Sequence, residues 1–164
     1  MRIHNLPVLL RRYLVVRILP VLAVMALIGC ASTPEIQPQL QSQQPLINYA
    51  LSLQGIPYRH GKETPEEGFD CSGFVKHVFG RHGVWLPRTV REMAFALPTV
   101  PNYELRSGDL VFFNVSGKTY SHVGIFINED KFIHAPSQRT GRVLVSSLNS
   151  SYWRQRFVGV RRPK

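Results

Sequence analysis

Cys71 stands in the stretch "GFDCSGFVKHVF", between an aspartate and a Ser-Gly, where a helix begins. A thiol is a poor nucleophile until it ionises, and a helix start helps, because unpaired backbone N–H groups and the helix dipole favour negative charge there. Asp70 is a good N-cap residue, so Cys71 falls in the first turn. The charge on Asp70 works against a neighbouring thiolate, however, and the cap alone is ambiguous. A cationic partner is needed as well, and histidine is the usual one.

Five histidines lie in the body of the chain: His60, His77, His82, His122 and His134. His77 and His82 are on the Cys71 helix or at its end and point along it or away from the thiol. His60 sits in the turn-like "RHGK". A metal site built from Cys71, His77 and His82 fits no familiar ligand spacing and has a single thiolate. His122 and His134 differ, because both lie in strands joined by "NED" (Asn128 to Asp130). With those three residues as the loop, Ile127 faces Lys131 and His122 faces Pro136. The two histidines then share a face as diagonal neighbours roughly 7–8 Å apart at the backbone. A two-residue loop would put them on opposite faces. Ser121 and Gly124 beside His122 are small enough to admit another backbone or a ligand.

Taken singly, a lone cysteine is usually an inert buried residue and a strand histidine a packed one. Together they form a nucleophile, a base and an orienter. His122 accepts the Cys71 proton and His134 fixes the tautomer of His122, which is triad logic with a neutral third member. The thiolate attacks a carbonyl, an acyl-enzyme forms and water releases it, with the Cys71 N–H as an oxyanion donor.

Cys71 is available only if Cys30 is not its disulfide partner. Arg2, Arg11, Arg12 and Arg17 precede an apolar run from Ile18 to Ile28. That order reads as an export signal, and the run is well short of the roughly 20 residues that span a bilayer. It ends in "LIGC", which resembles the lipobox of bacterial lipoproteins and implies removal of residues 1–29 and lipidation of Cys30. An ordinary signal peptide or a plain membrane anchor are the alternatives. A thioether at Cys30 leaves Cys71 unpaired in a compartment that favours disulfides. Ala31 after that cysteine resembles outer-membrane sorting. The mature chain keeps 16 basic residues against 10 acidic ones, a net of +6. Anionic headgroups and wall polymers are its natural counter-ions, and nucleic acid is not an expected partner there.

The elements that must position these groups follow from periodicity. "ASTPEIQPQLQSQQ" (Ala31 to Gln44) reads as a disordered tether, so that residues 30–44 carry the lipidated cysteine and the tether. Residues 45–164 form one domain. Within it, "PLINYALSLQG", "CSGFVKHVFGRHG" and "RTVREMAFA" carry helical spacing. Five strands are expected: Asp109 to Phe113, His122 to Ile127, Lys131 to Ala135, Arg142 to Ser147, and "RFVGVRR". Helices first and antiparallel strands after make an α+β class.

Read in order, "GIPYRHGKETPEEGFDCSGFVKHVF", "LPRTVREM", "SGDLVFF", "SHVGIFI" and "FIHA" resemble the successive motifs of the NlpC-type cysteine peptidases of bacterial cell walls. The resemblance implies a circularly permuted papain-like fold and an endopeptidase acting on peptidoglycan stem peptides, with no metal or organic cofactor. It assigns the nucleophile to Cys71, the base to His122 and the polar third residue to His134. It also implies that the Tyr58 hydroxyl lines the oxyanion side of the cleft and that Arg88 and Thr89 border the substrate groove. Asp70 and Ser72 match the motif, the aspartate as helix cap. Many members have an aromatic residue and two glycines where this chain has His60, Gly61 and Lys62, so charge and bulk are expected at the cleft rim. A non-catalytic wall-binding lipoprotein, or an amidase or acyltransferase using the same dyad, are the competing functions. A regulatory adaptor or protease is left open as a further partner.

Overall fold

The computed structural model describes residues 38–164, with side chains from residue 43 onward. The first helix, α1 (Pro38–Ser52), buries Leu46, Ile47 and Ala50 along one stripe. It begins inside the segment expected to be an unstructured tether, so residues 38–44 are helical rather than loose. Proline suits a first helical turn and glutamine is a good helix former, which lets the composition of a linker fold as helix. Cys30 and the segment expected to be an export signal lie outside the described residues.

A short hairpin follows, β1 (Glu63–Thr64) with β2 (Gly68–Phe69), and leads directly into α2 (Cys71–Gly80). The expected face of α2 is buried, with Val75 joining Phe74, Val78 and Phe79. Its first turn lies tight against β1. A Cβ added at Gly73 would stand 2.2 Å from the Lys62 carbonyl oxygen, so only glycine permits this approach. The third helix, α3 (Val90–Ala96), starts with a capping box in which Thr89 and Glu92 satisfy each other's backbone N–H groups.

Among the described residues the main sheet is antiparallel and has six strands rather than about five. They are β3 (Thr99–Val100), β4 (Leu110–Phe113), β5 (His122–Asn128), β6 (Lys131–His134), β7 (Leu144–Ser147) and β8 (Phe157–Arg161), in the order β3-β8-β4-β5-β6-β7. The additional strand, β3, has two residues, too few to carry a period of two. A last short helix, α4 (Ser151–Arg154), lies between β7 and β8. Both faces of the sheet are covered. Leu110, Phe112, Val123 and Ile125 join the helices in one core, while Val111, Phe113, Phe126 and Phe132 pack with Trp153 and Phe157 in another. That two-sided burial explains why "LVFF" is apolar throughout instead of alternating.

The β5–β6 hairpin closes with a two-residue turn, Glu129–Asp130, not three, since Asn128 pairs with Lys131 and Glu129 has φ 51°. By itself that turn would have put the two histidines on opposite faces. A bulge between Phe126 and Asn128 shifts the ladder by one, so Phe126 pairs with Phe132 and Ile125 with Ile133. Extending this register sets His122 opposite Pro136, and His122 and His134 share a face after all. Gly124 between them is obligatory, because a Cβ there would meet a Phe132 ring carbon at 2.7 Å and the His134 Cβ at 3.1 Å. Its smallness admits the neighbouring strand's side chains.

Segment 55–59 joins the site to the sheet. Gly55 N–H donates to the Val143 carbonyl at 2.9 Å and Tyr58 N–H to Gly141 at 2.8 Å. On the other side Phe69 N–H donates to the Pro57 carbonyl at 3.0 Å and Arg59 N–H to Phe69 at 2.9 Å.

These close approaches predict a contrast between glycines in one helix. Gly73→Ala should lower unfolding free energy by about 1–3 kcal/mol through the clash with a backbone oxygen. Gly80→Ala, where nothing lies within 4 Å, should be neutral or stabilising by up to about 1 kcal/mol. Urea unfolding of both variants checks this, and equal losses would refute the packing argument.

Candidate active site

The site is assembled from the head of α2 and the start of β5. Asp70 caps α2, its Oδ1 accepting from the Gly73 N–H at 2.7 Å. The same carboxylate accepts from the Gly61 N–H at 2.9 Å and from both Arg88 terminal nitrogens, at 3.0 and 2.7 Å. Arg88 also reaches Ser72 Oγ at 2.9 Å and Glu63 at 3.0 Å, and Lys76 closes on Glu63 at 2.9 Å. Burial raises the Asp70 pKa, but the Arg88 hydrogen bond and the Gly73 amide outweigh it and hold the carboxyl below its ordinary value. The charge that opposes a Cys71 thiolate is therefore spread over an arginine and two amides.

The backbone N–H groups of Val123, Ser72 and Cys71 itself lie near the Cys71 sulfur and favour its anion. Val123 follows His122 in the chain, so the thiol rests against the first residues of β5. Burial first, and the Asp70 charge second, push the thiol up to about 11 against the pull of those amides. The helix start alone does not ionise it. Tyr58 is half-buried, and its hydroxyl is raised by burial and then by the charges of Cys71 and Asp70, which sets it on the thiol's side of the cleft.

Both imidazoles are buried, His122 at 2% exposure and His134 at 0%. His122 Nε2 and His134 Nδ1 lie 2.7 Å apart, and His134 Nε2 lies 2.9 Å from Ser146 Oγ on β7. Burial lowers His122 to about 3 and lowers His134 strongly, with the charge of His122 adding to the latter. Each is therefore neutral as an isolated group. With Nε2 engaged by His134, Nδ1 is the nitrogen of His122 left for a thiol proton.

The remaining sequence candidates are also placed. Thr89 caps α3, its hydroxyl and amide both engaged with Glu92, and Arg88 is committed to Asp70, Ser72 and Glu63. Lys62 pairs with Glu67 at the surface. His77 bonds the Tyr49 hydroxyl at 2.8 Å, and His82 Nδ1 donates to the Val78 carbonyl at 2.9 Å, so both serve the α1–α2 packing.

Two residues were not anticipated from the sequence. Trp153 on α4 covers the imidazole pair, its ring stacked on His122 at 5.3 Å and edge-on to His134 at 4.8 Å. Ser146 completes the polar chain. An aromatic in a short helix after the last hairpin is the only signal Trp153 gives, and Ser146 has none beyond its place in a strand.

Burial of neutral His134 sets a pH dependence of stability. Its pKa is depressed in the fold, so the unfolded chain binds the extra proton below about pH 6.5 and stability falls as pH falls from there. The slope is about 1.4 kcal/mol per pH unit for one histidine. His134→Asn should flatten the unfolding free energy between pH 6.5 and 5 by about that amount. An unchanged slope in urea titrations would refute a neutral buried imidazole at this position.

Comparison with known proteins identifies the family of the chain. The family model described as NlpC/P60 matches residues 55–162. The chain is 40% identical over 121 residues to murein DD-endopeptidase MepH of Escherichia coli, covering 71% of this chain and 44% of that protein. It is 40% identical over 117 residues to the bifunctional muramidase/DL-endopeptidase CwlT of Bacillus subtilis, covering 70% and 35%. The chain thus spans less than half the length of these two relatives. A crystal structure of an NLP/P60-family lipoprotein-like protein from Staphylococcus aureus superposes with a TM-score of 0.69 at 30% identity, covering 82% of this chain and 45% of that one. A match that takes in residues 55–162, most of the described chain, places it in the NlpC/P60 family.

Proposed function

We propose that the protein is a peptidoglycan hydrolase, a cysteine endopeptidase that cleaves an amide bond involving a D-amino acid or diaminopimelate in murein stem peptides or cross-links. The observations that carry this are the thiol of Cys71 at a helix start near the Val123 amide, which follows His122 in the chain, and the hydrogen bond between the buried imidazoles of His122 and His134. Both relatives named above act on murein by their names, one as a DD- and one as a DL-endopeptidase.

Cys71 Sγ passes its proton to His122 Nδ1 and attacks the substrate carbonyl. Neither charge is favourable alone in this buried site, but forming both together sets an anion beside a cation and three amides, which offsets their desolvation. The carbonyl oxygen takes the negative charge, facing the Cys71 N–H and the Tyr58 hydroxyl. Collapse breaks the C–N bond, and His122 gives its proton to the leaving amine. Water, deprotonated by His122, then attacks the thioester, releases the carboxylate product and regenerates the thiol.

The chain also acts, in this reading, from the membrane through a lipid on Cys30, at the periplasmic face of the outer membrane. The basic segment, the apolar run and "LIGC" followed by Ala31 support it.

Purified sacculi test the chemistry. Wild type should change the muropeptide profile and Cys71→Ala should lose at least about a thousandfold of the rate. Equal activity of the two would remove the nucleophile, and an inactive wild type would favour the wall-binding alternative. For the anchor, Cys30→Ser should move the protein from the membrane fraction to the soluble one, and retention in the membrane would overturn it.

A further inference from the structure

The polar chain does not stop at the third residue of the triad. His134 Nε2 meets Ser146 Oγ at 2.9 Å, and Ser146 sits on β7, at the end of the sheet order, half-buried. His122 and His134 pack among the rings of Phe113, Phe132 and Trp153, and the ring-nitrogen bonds they make are to each other and to Ser146.

Two neutral imidazoles joined through one N···N contact share one proton in that contact, which allows two arrangements. In the first, His122 Nε2–H donates to His134 Nδ1, and His134 Nε2–H donates to Ser146 Oγ. In the second, every bond reverses. The serine O–H donates to His134 Nε2, His134 Nδ1–H donates to His122 Nε2, and the proton on His122 sits on Nδ1, the nitrogen a thiol proton would need. Only the first leaves His122 Nδ1 with a free lone pair. The choice rests on the far end of the chain, at the serine.

We infer that Ser146 is a positioning residue, the terminal acceptor that holds both imidazoles in their Nε2–H tautomers and so keeps His122 Nδ1 open as a base. A hydroxyl accepts through two lone pairs and carries one donor. On a half-buried strand that donor turns to solvent while a lone pair faces His134. A carboxylate there would do the same ordering but would invite a proton onto His134. A neutral hydroxyl orders the pair and adds no charge to a site that has excluded it.

This inference rests on the peptidase reading for its purpose but not for its test. In the full chain carrying 15N-labelled histidine, ring-nitrogen shifts and long-range couplings report each tautomer directly. His134 should be protonated on Nε2 and bare on Nδ1, whether or not His122 has taken the thiol proton. Protonation on Nδ1 instead would overturn the proposal. Ser146→Ala should give a mixture of His134 tautomers and lower kcat on soluble muropeptides roughly ten- to a hundredfold with KM little changed. Ser146→Thr, which keeps the hydroxyl, should restore both. A Ser146→Ala variant with wild-type tautomers and kcat would overturn it equally. Should that variant fail to fold, the wild-type spectrum decides alone. A wild type that cuts no murein yet shows the Nε2–H form supports the relay and removes the peptidase reading.

Discussion

Asp70 ties together the parts on which the rest of the molecule depends. Its carboxylate caps α2, accepts the Gly61 amide from the preceding turn and binds Arg88 through both oxygens. Arg88 in turn links to Glu63 on β1 and, through it, to Lys76 on the next turn of α2. A bidentate guanidinium–carboxylate pair fixes direction as well as distance. The carboxylate's position N-terminal to the thiol follows from its role as a cap. Its negative charge still opposes ionisation of that thiol, and the arginine pairs with it without moving the cap.

The second constraint is dryness. Burial disfavours a charge on Cys71 and on either imidazole, and Trp153 over the histidine pair completes the enclosure. A site of this kind gains from moving a proton internally, because no net charge enters it. It also strengthens the hydrogen bond between the two buried imidazoles. The amides of Val123, Ser72 and Cys71 around the sulfur are fixed dipoles already turned toward a negative charge, so they need no reorganisation when it appears.

Much of this was legible from residue types and spacing. "DC" before an apolar helical face marks the cap and the thiol, and a spacing of twelve positions from His122 to His134 around a turn signal suggests a common face. The reason for that common face was not legible. It needs two departures from a simple hairpin, a shorter turn and a compensating bulge, and neither leaves a mark on an apolar strand. The family resemblance put Arg88 at the groove, and its ion pairs with residues 18 and 25 positions away, brought to it only by the fold, were not legible in the sequence. Trp153 and Ser146 were missed for the same reason, since contacts across a sheet carry no period along the chain. The linker-like composition before residue 45 concealed a helix because glutamine serves both states.

Segment 55–59 carries a mechanical consequence. It is stitched to residues 141–143 on one flank and to Phe69 on the other, immediately before the thiol. A loop sutured along both borders does not swing, so the wall that bears Tyr58 is a fixed jaw. Whatever enters there meets a wall already in place, so fit against that wall rather than the timing of a lid decides entry.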